Sequence, residues 1–410
     1  MTPDPAGGSS APPAQGAGAA GGSSPLPGRG AVLVSGPANS LTDVAGLRVG
    51  HARRLDDGHR TGTTVVLAPE GGMVAGVDVR GAAPGTRETE LLDPRNLVER
   101  VHAIVLTGGS AYGLSAACGV MERLADAGVG HPVAGGVVPI VPAAVIYDLG
   151  RGGRFRATPD AALGAAAYDA ATGAPAASDV IGADGALWPH GGAGDGGTGG
   201  AANGSVGAGT GAVAGGLAGG VGTASVVLPS GVTVAALAVV NAAGSVLDPG
   251  GGRLSGTRYG LPGEFDHLRE PLPEEVGAWN PAGVTSFNTT IGVVATDLTL
   301  TKAQCGKLAG VAHDGLARAI RPAHTMVDGD TIFAVATCAL PMPEGEQRVY
   351  GSRTVTDSGA GPGAAHLHDL LAAGADVFSR AVAHAVLAAT GREDAPAYLD
   401  VFPSALGDIS

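Results

Sequence analysis

The chain has 410 residues, 72 of them glycine, and 24 basic against 37 acidic side chains give a formal net charge of −13. Glycine without a three-residue period excludes a collagen-like chain, and 44% hydrophobic with only 15% charged residues excludes global disorder, which needs few aliphatics and much charge. So acidic a chain, with no basic cluster, repels phosphate backbones and anionic membranes, so neither nucleic acid nor a membrane is an expected partner.

Residues 1–30 are rich in Pro, Gly, Ser and Ala and are expected to form a disordered tail, with 31–410 as one domain. The N-terminus has neither the basic nor the apolar region of a secretion signal, and no run of 18 uninterrupted apolar residues suggests a membrane span, so the expected compartment is the cytoplasm. Cys118, Cys305 and Cys338 are odd in number and far apart, and are read as small core residues.

Short β-like runs follow at Gly62–Ala68, Val74–Val79 and Ala103–Thr107, each cut by Gly or Pro. A helix is predicted to start after Gly109-Ser110 and to run to about Ala127, with Leu114, Cys118, Met121 and Leu124 on its apolar face. Residues 150–222 are so glycine-rich that periodicity fails, which fits either a flexible loop or closely packed backbone. Thr223–Leu228 and Thr233–Asn241, separated by Pro-Ser-Gly, read as a hairpin. Farther on, Thr290–Thr296 reads as a buried strand. Thr301-Lys302-Ala303-Gln304 is a capping box opening a helix to about Ile320, and Thr331–Ala339 is a second strand. A long helix from about Ala364 to Thr390 closes at Gly391.

A helical crossover makes the two strands parallel, so their N-terminal ends share one sheet edge. That edge brings Asn288-Thr289 towards Asp328-Gly329-Asp330. Thr289 could then attack the preceding Asn288 carbonyl and pass through an N→O acyl shift to an ester that water cleaves. The freed α-amine, with an unperturbed pKa of about 7.7–8.0, can serve as base for its own hydroxyl. Asp328 and Asp330 are candidates to orient that amine and hydroxyl, and Asn241, after an apolar strand, is a candidate donor to an oxyanion. Each motif also has an ordinary reading: β-propensity for the threonine, a tight turn for Asp-Gly-Asp, and a turn residue for the asparagine.

Nine segments in order, from NSLTDVAGLRVGH (39–51) through TGTTVVL (61–67), VDVRGAAPGTRET (77–89), LTGGSAYGL (106–114), GSVGAGTGA (204–212), GGVGTAS (219–225), NTTIGVVATD (288–297) and AHDGLARAI (312–320) to DGDTIFA (328–334), resemble the P1 family of self-processing aminopeptidases. This is the L-aminopeptidase/D-esterase or DmpA-like family, with its nylon-oligomer hydrolase branch. The resemblance implies an α/β fold, a four-layer α/β/β/α sandwich like that of other N-terminal nucleophile hydrolases. It also implies self-cleavage between Asn288 and Thr289 into 31–288 and 289–410, with Thr289 as nucleophile, Asn241 at the oxyanion, and Asp328 and Asp330 in support. Tyr147, in VPAAVIYDL, is a possible further oxyanion residue. The implied activity is release of N-terminal residues from small peptides, amides or esters by an oligomer of processed heterodimers, tetramer-like, without a cofactor.

Two departures bear on specificity. Relatives often carry a lysine before the paired glycines, where this chain has Ala218. Peptidase relatives have Ser-Gly-acid where it has Asp328-Gly329-Asp330, which favours the branch with Thr and two aspartates. The alternatives are hydrolysis of nylon-type amide oligomers, or acyl transfer of the ornithine acetyltransferase kind. A nucleotide-binding reading of Gly207–Gly211 lacks the Walker lysine. The histidines show no metal-ligand spacing: His366 and His368 are two apart on a helix and diverge, and His313 reads as packing or solvated, so no metal is predicted.

Overall fold

The structure is a computed structural model describing residues 33–173, 201–281, 287–342, 348–350, 353–355 and 363–407. The expected tail at 1–30, and residues 174–200 of the glycine-rich stretch, lie outside the described residues. In chain order the first part forms β1 (Arg48–Arg54), β2 (Thr61–Leu67), β3 (Val74–Val79), β4 (Thr86–Arg87), β5 (Ala103–Thr107), α1 (Ala116–Asp126), β6 (His131–Val133), β7 (Gly136–Val138), β8 (Ala143–Val145) and α2 (Ala161–Thr172). There follow β9 (Val213–Ala214), β10 (Leu217–Ala218), β11 (Gly220–Val227), β12 (Thr233–Val240), α3 (Pro273–Ala278), β13 (Ile291–Leu298), α4 (Lys302–Ala319), β14 (Thr331–Leu340) and α5 (Ala364–Leu387).

Two five-stranded sheets carry the architecture, ordered β1-β2-β5-β8-β4 and β11-β12-β13-β14-β3. Strands β2, β12 and β13 are buried along their whole length, so they read as continuous apolar or β-branched runs, not as alternation. One apolar cluster, including Val66, Ile104, Leu237, Val293 and Phe333, fills the space between the sheets. A second joins the first sheet to α1 and α2 through Val65, Val105, Val120 and Ala167. A third joins the other sheet to α4 and α5 through Val294, Leu308, Leu316, Val377 and Phe378. The molecule is therefore helix, sheet, sheet, helix in four layers, the expected sandwich.

The expected hairpin is β11–β12, antiparallel, and β13 and β14 are parallel across α4, whose Thr301/Gln304 capping box is present. The glycine-rich stretch, where described, is close-packed backbone: a Cβ on Gly222 would overlap the main chain of α5 at Ala381 and Ala385.

Three expectations need correction. Residues Ser110–Ser115 form a 3₁₀ turn and only then α1, whose buried face is Ala116, Ala117, Gly119, Val120 and Leu124. Cys118 is thereby exposed, and only Cys305 among the three cysteines is fully buried. Helix α5 stops at Leu387 with Ala388, not Gly391, at its C-cap. α5 is also long and apolar enough by composition to cross a membrane, yet 15 of its 24 residues are buried against neighbouring elements, as in a core helix.

Candidate active site

Three strand ends converge at one edge of the second sheet. Val239 pairs with Ile291 in the antiparallel β12–β13 ladder, which carries Asn241 opposite Thr289 just beyond it. Ile291 pairs with Thr331 in the parallel β13–β14 ladder, and the pairing runs back to a bridge between Asn288 and Asp328. The residues singled out in sequence are thus brought together and removed from solvent: Asn241, Asn288, Thr289, Asp328 and Asp330 are each no more than 5% exposed.

The geometry around Thr289 is tight. Its main-chain N–H donates to Asn241 O at 2.6 Å. Its hydroxyl donates to the carbonyl oxygen of Asn288, 2.5 Å away. That oxygen also accepts from Gly329 N–H at 3.2 Å, so two donors polarise one peptide carbonyl. A Cβ at Gly329 would stand 2.8 Å from the Thr289 hydroxyl and 2.6 Å from Ala83 O, so glycine alone fits there.

Each aspartate is held by several donors. Asp330 Oδ1 accepts from Thr290 N–H at 2.8 Å, while Oδ2 accepts from His324 N–H at 3.1 Å and its ring Nδ1 at 2.8 Å. Asp328 Oδ2 accepts from Thr325 N–H at 2.8 Å and Thr325 Oγ1 at 2.6 Å. The segment after β3 covers the turn: Arg80 N–H donates to Asp330 O at 3.0 Å and Ala83 N–H to Asp328 O at 2.8 Å. Gly81 is required there because a Cβ would overlap Asp330 N. Buried carboxylates need such partners, since removing one leaves a costly unsatisfied group.

The side chain of Asn241 is oriented by its neighbours. Its Oδ1 accepts from Arg151 Nη1 at 2.5 Å and Val213 N–H at 3.1 Å, which fixes Nδ2 on the other side. Nδ2 donates to Tyr147 O at 3.2 Å and retains a second hydrogen. Tyr147 is adjacent through that carbonyl and through its ring, 5.9 Å from the ring of Phe287. Burial lowers the Arg151 pKa to about 10, still a cation at neutral pH. It stands near Asp148, whose carboxyl is pushed up by burial against the hydrogen bonds from Thr61 and Gly109. Ala218 is fully buried and packs with Ala389 and Ala395.

Sequence reasoning missed His324, Thr325 and Arg151, for which no motif exists: each acts through a contact set by packing. His313 is fully buried, donating Nε2–H to Asp78 O at 2.9 Å, and burial lowers its pKa to about 4. Among the described residues no group of His, Cys, Asp and Glu has the arrangement of a metal site.

The chain is similar to known proteins over most of its length. The model of peptidase family S58 matches residues 39–395. An uncharacterized aminopeptidase of Mycobacterium leprae is 46% identical over 390 residues, covering 92% of this chain and 98% of its own. The 6-aminohexanoate-oligomer endohydrolase of Paenarthrobacter ureafaciens is 31% identical over 306 residues, covering 73% and 76%. The L-aminopeptidase D-Ala-esterase/amidase of Ochrobactrum anthropi, a variant of the N-terminal nucleophile hydrolase fold, superposes with a TM-score of 0.58 over 91% of this chain and 96% of its own, at 20% identity, and so speaks for the fold.

Proposed function

This chain belongs to peptidase family S58, and on that premise we propose that it is an aminopeptidase-type amide hydrolase that cuts its own Asn288–Thr289 bond and then uses Thr289 as nucleophile. One observation carries the reading: the Thr289 hydroxyl lies 2.5 Å from the carbonyl oxygen of Asn288, on which Gly329 N–H also converges.

The hydroxyl oxygen attacks the Asn288 carbonyl carbon, and Gly329 N–H receives the negative charge that develops on its oxygen. The C–N bond breaks, the hydroxyl proton passes to the departing nitrogen, and an ester joins Asn288 to Thr289 Oγ. Water cleaves that ester, leaving a carboxylate on Asn288 and a free hydroxyl and α-amine on Thr289. The amine, a group whose unperturbed pKa is about 7.7–8.0, takes the hydroxyl proton in each later turnover. Asp330, on the Thr290 N–H, fixes the main chain beside that amine, and the spare Nδ2 hydrogen of Asn241 is the donor for a substrate oxyanion. The substrates of this reading are small peptides, amides or esters, with amide oligomers as a second class because the Asp328-Gly329-Asp330 pair accompanies a threonine.

The two products would stay together. In the sheet order β11-β12-β13-β14-β3, strands β13 and β14 come from one product and their neighbours on both sides from the other. Denaturing gels would show two chains where gel filtration shows one species, and the same elution reports the oligomer of heterodimers.

Intact-mass spectrometry of the wild type beside Thr289→Ala tests the reading. Chains of 288 and 122 residues are expected from the wild type, and one uncut chain from the variant. A wild type that stays uncut over days overturns it.

A further inference from the structure

His324 stands out among the residues the proposed reaction does not use. Its φ is +59°, the left-handed region that non-glycine residues rarely occupy. That conformation folds the ring over its own amide, so N–H and Nδ1 reach the same oxygen, Asp330 Oδ2, at 3.1 and 2.8 Å. The other oxygen of Asp330 accepts Thr290 N–H, one peptide from the nucleophile. The far ring nitrogen, Nε2, is buried without a partner, as is Nδ1 of His313, whose ring meets it edge-on with centroids 4.8 Å apart. A ring kept only for packing would not need a strained backbone and a bare nitrogen. What the arrangement delivers is two donors on one carboxylate oxygen, with the ring wedged against His313 so that it cannot swing away.

We propose that His324 is a positioning residue for cleavage at Thr289: through Asp330 it locks the Thr290 amide, and with it the Thr289 hydroxyl, against the Asn288 carbonyl. The inference rests on the self-cleavage reading above.

The test follows self-cleavage of the full chain after pulsed cell-free synthesis, by mass spectrometry. His324→Gly keeps the left-handed backbone and removes the ring donor. His324→Asn also tolerates that backbone and restores a side-chain N–H. A lost hydrogen bond to a charged partner predicts cleavage about 30-fold slower in His324→Gly, with His324→Asn within about threefold of wild type. In an Asp330→Asn background, His324→Gly should add less than about twofold, because the two act as one unit. Melting temperatures, read in an uncut Thr289→Ala background, should differ by no more than about 4 °C. Cleavage of His324→Gly at the wild-type rate overturns this inference alone. So does equal slowing of both His324 variants, or full additivity with Asp330→Asn. A wild type that is never cut overturns the self-cleavage reading with it.

Discussion

Among the described residues, two of the buried polar clusters are built differently. In the first, Glu264 joins helix α5 to the start of the described chain. Its carboxylate accepts from Arg380 Nε at 2.7 Å and Nη2 at 2.9 Å, from His384 Nε2 at 2.7 Å and from Asn39 Nδ2 at 2.8 Å. Arg380 also donates to Ser225 O and Asn39 Oδ1. Burial pushes the Glu264 carboxyl up, but the hydrogen bonds from His384 and Arg380 and the Arg380 charge outweigh it and hold it well below the ordinary range. The second cluster, at the strand ends, keeps bare nitrogens on His313 and His324 and sets a hydroxyl against a peptide carbonyl. The closed network surrounds the Glu264 carboxylate with donors, whereas the open one leaves ring nitrogens without a partner near a hydroxyl set on a peptide carbonyl.

The largest effect expected on this contrast comes from Glu264→Ala. Arg380, 1% exposed, is left as an unpaired buried charge, which costs about 3–5 kcal/mol of stability. Molecules still folded at low temperature should cleave themselves at the wild-type rate. If urea titration finds the loss under about 1 kcal/mol, or the folded variant stays uncut, the division between the clusters is wrong.

Gly329→Ala probes the other cluster. The new methyl must displace either Ala83 O or the Thr289 hydroxyl, so self-cleavage should slow at least about tenfold. Its melting temperature should fall by less than that of Glu264→Ala. A larger fall would make the strand-end cluster structural too.

The smallest effect is a pH dependence. Burial lowers the pKa of both His51 and His313 from 6.5 to about 4. Between those values the unfolded chain holds protons that the folded chain does not, so stability is full above about 6.5 and falls on acidification towards 4. Urea midpoints at pH 7 and pH 5 should differ by less in His313→Gln than in the wild type. An unchanged difference would show that His313 is not buried neutral.

Much of this was legible along the chain. Runs of β-branched and small apolar residues marked β2, β3, β5 and the strands around Thr289, and the Thr301/Gln304 box marked the start of α4. A helix between two strands demands parallel pairing, and this alone puts Asn288-Thr289 beside Asp328-Gly329-Asp330. Reading the hydrophobic face of α1 by side-chain size placed Leu124 correctly but misplaced Cys118 and passed over the small residues. Gly119 meets the main chain of Ala161 in α2, and Gly164 that of Ala116, so small residues join Val120 and Leu124 on the buried stripe, Leu114 and Met121 pack against it half-buried, and Cys118 turns outward.

What the sequence by itself determined is therefore the local grammar: periodicity, caps, and the parallel pairing across one crossover, all set by interactions within a few residues or by a rule of chain geometry. Tertiary structure alone decided that Arg151 lies on Asn241, that His324 folds over Asp330, and that Glu264 meets Arg380. Two of these pairs join residues 90 and 116 positions apart, and the third needs a left-handed backbone that no neighbour announces. Such contacts form only once two layers have packed and water has left, because a hydrogen bond between polar side chains gains little until its partners are desolvated together.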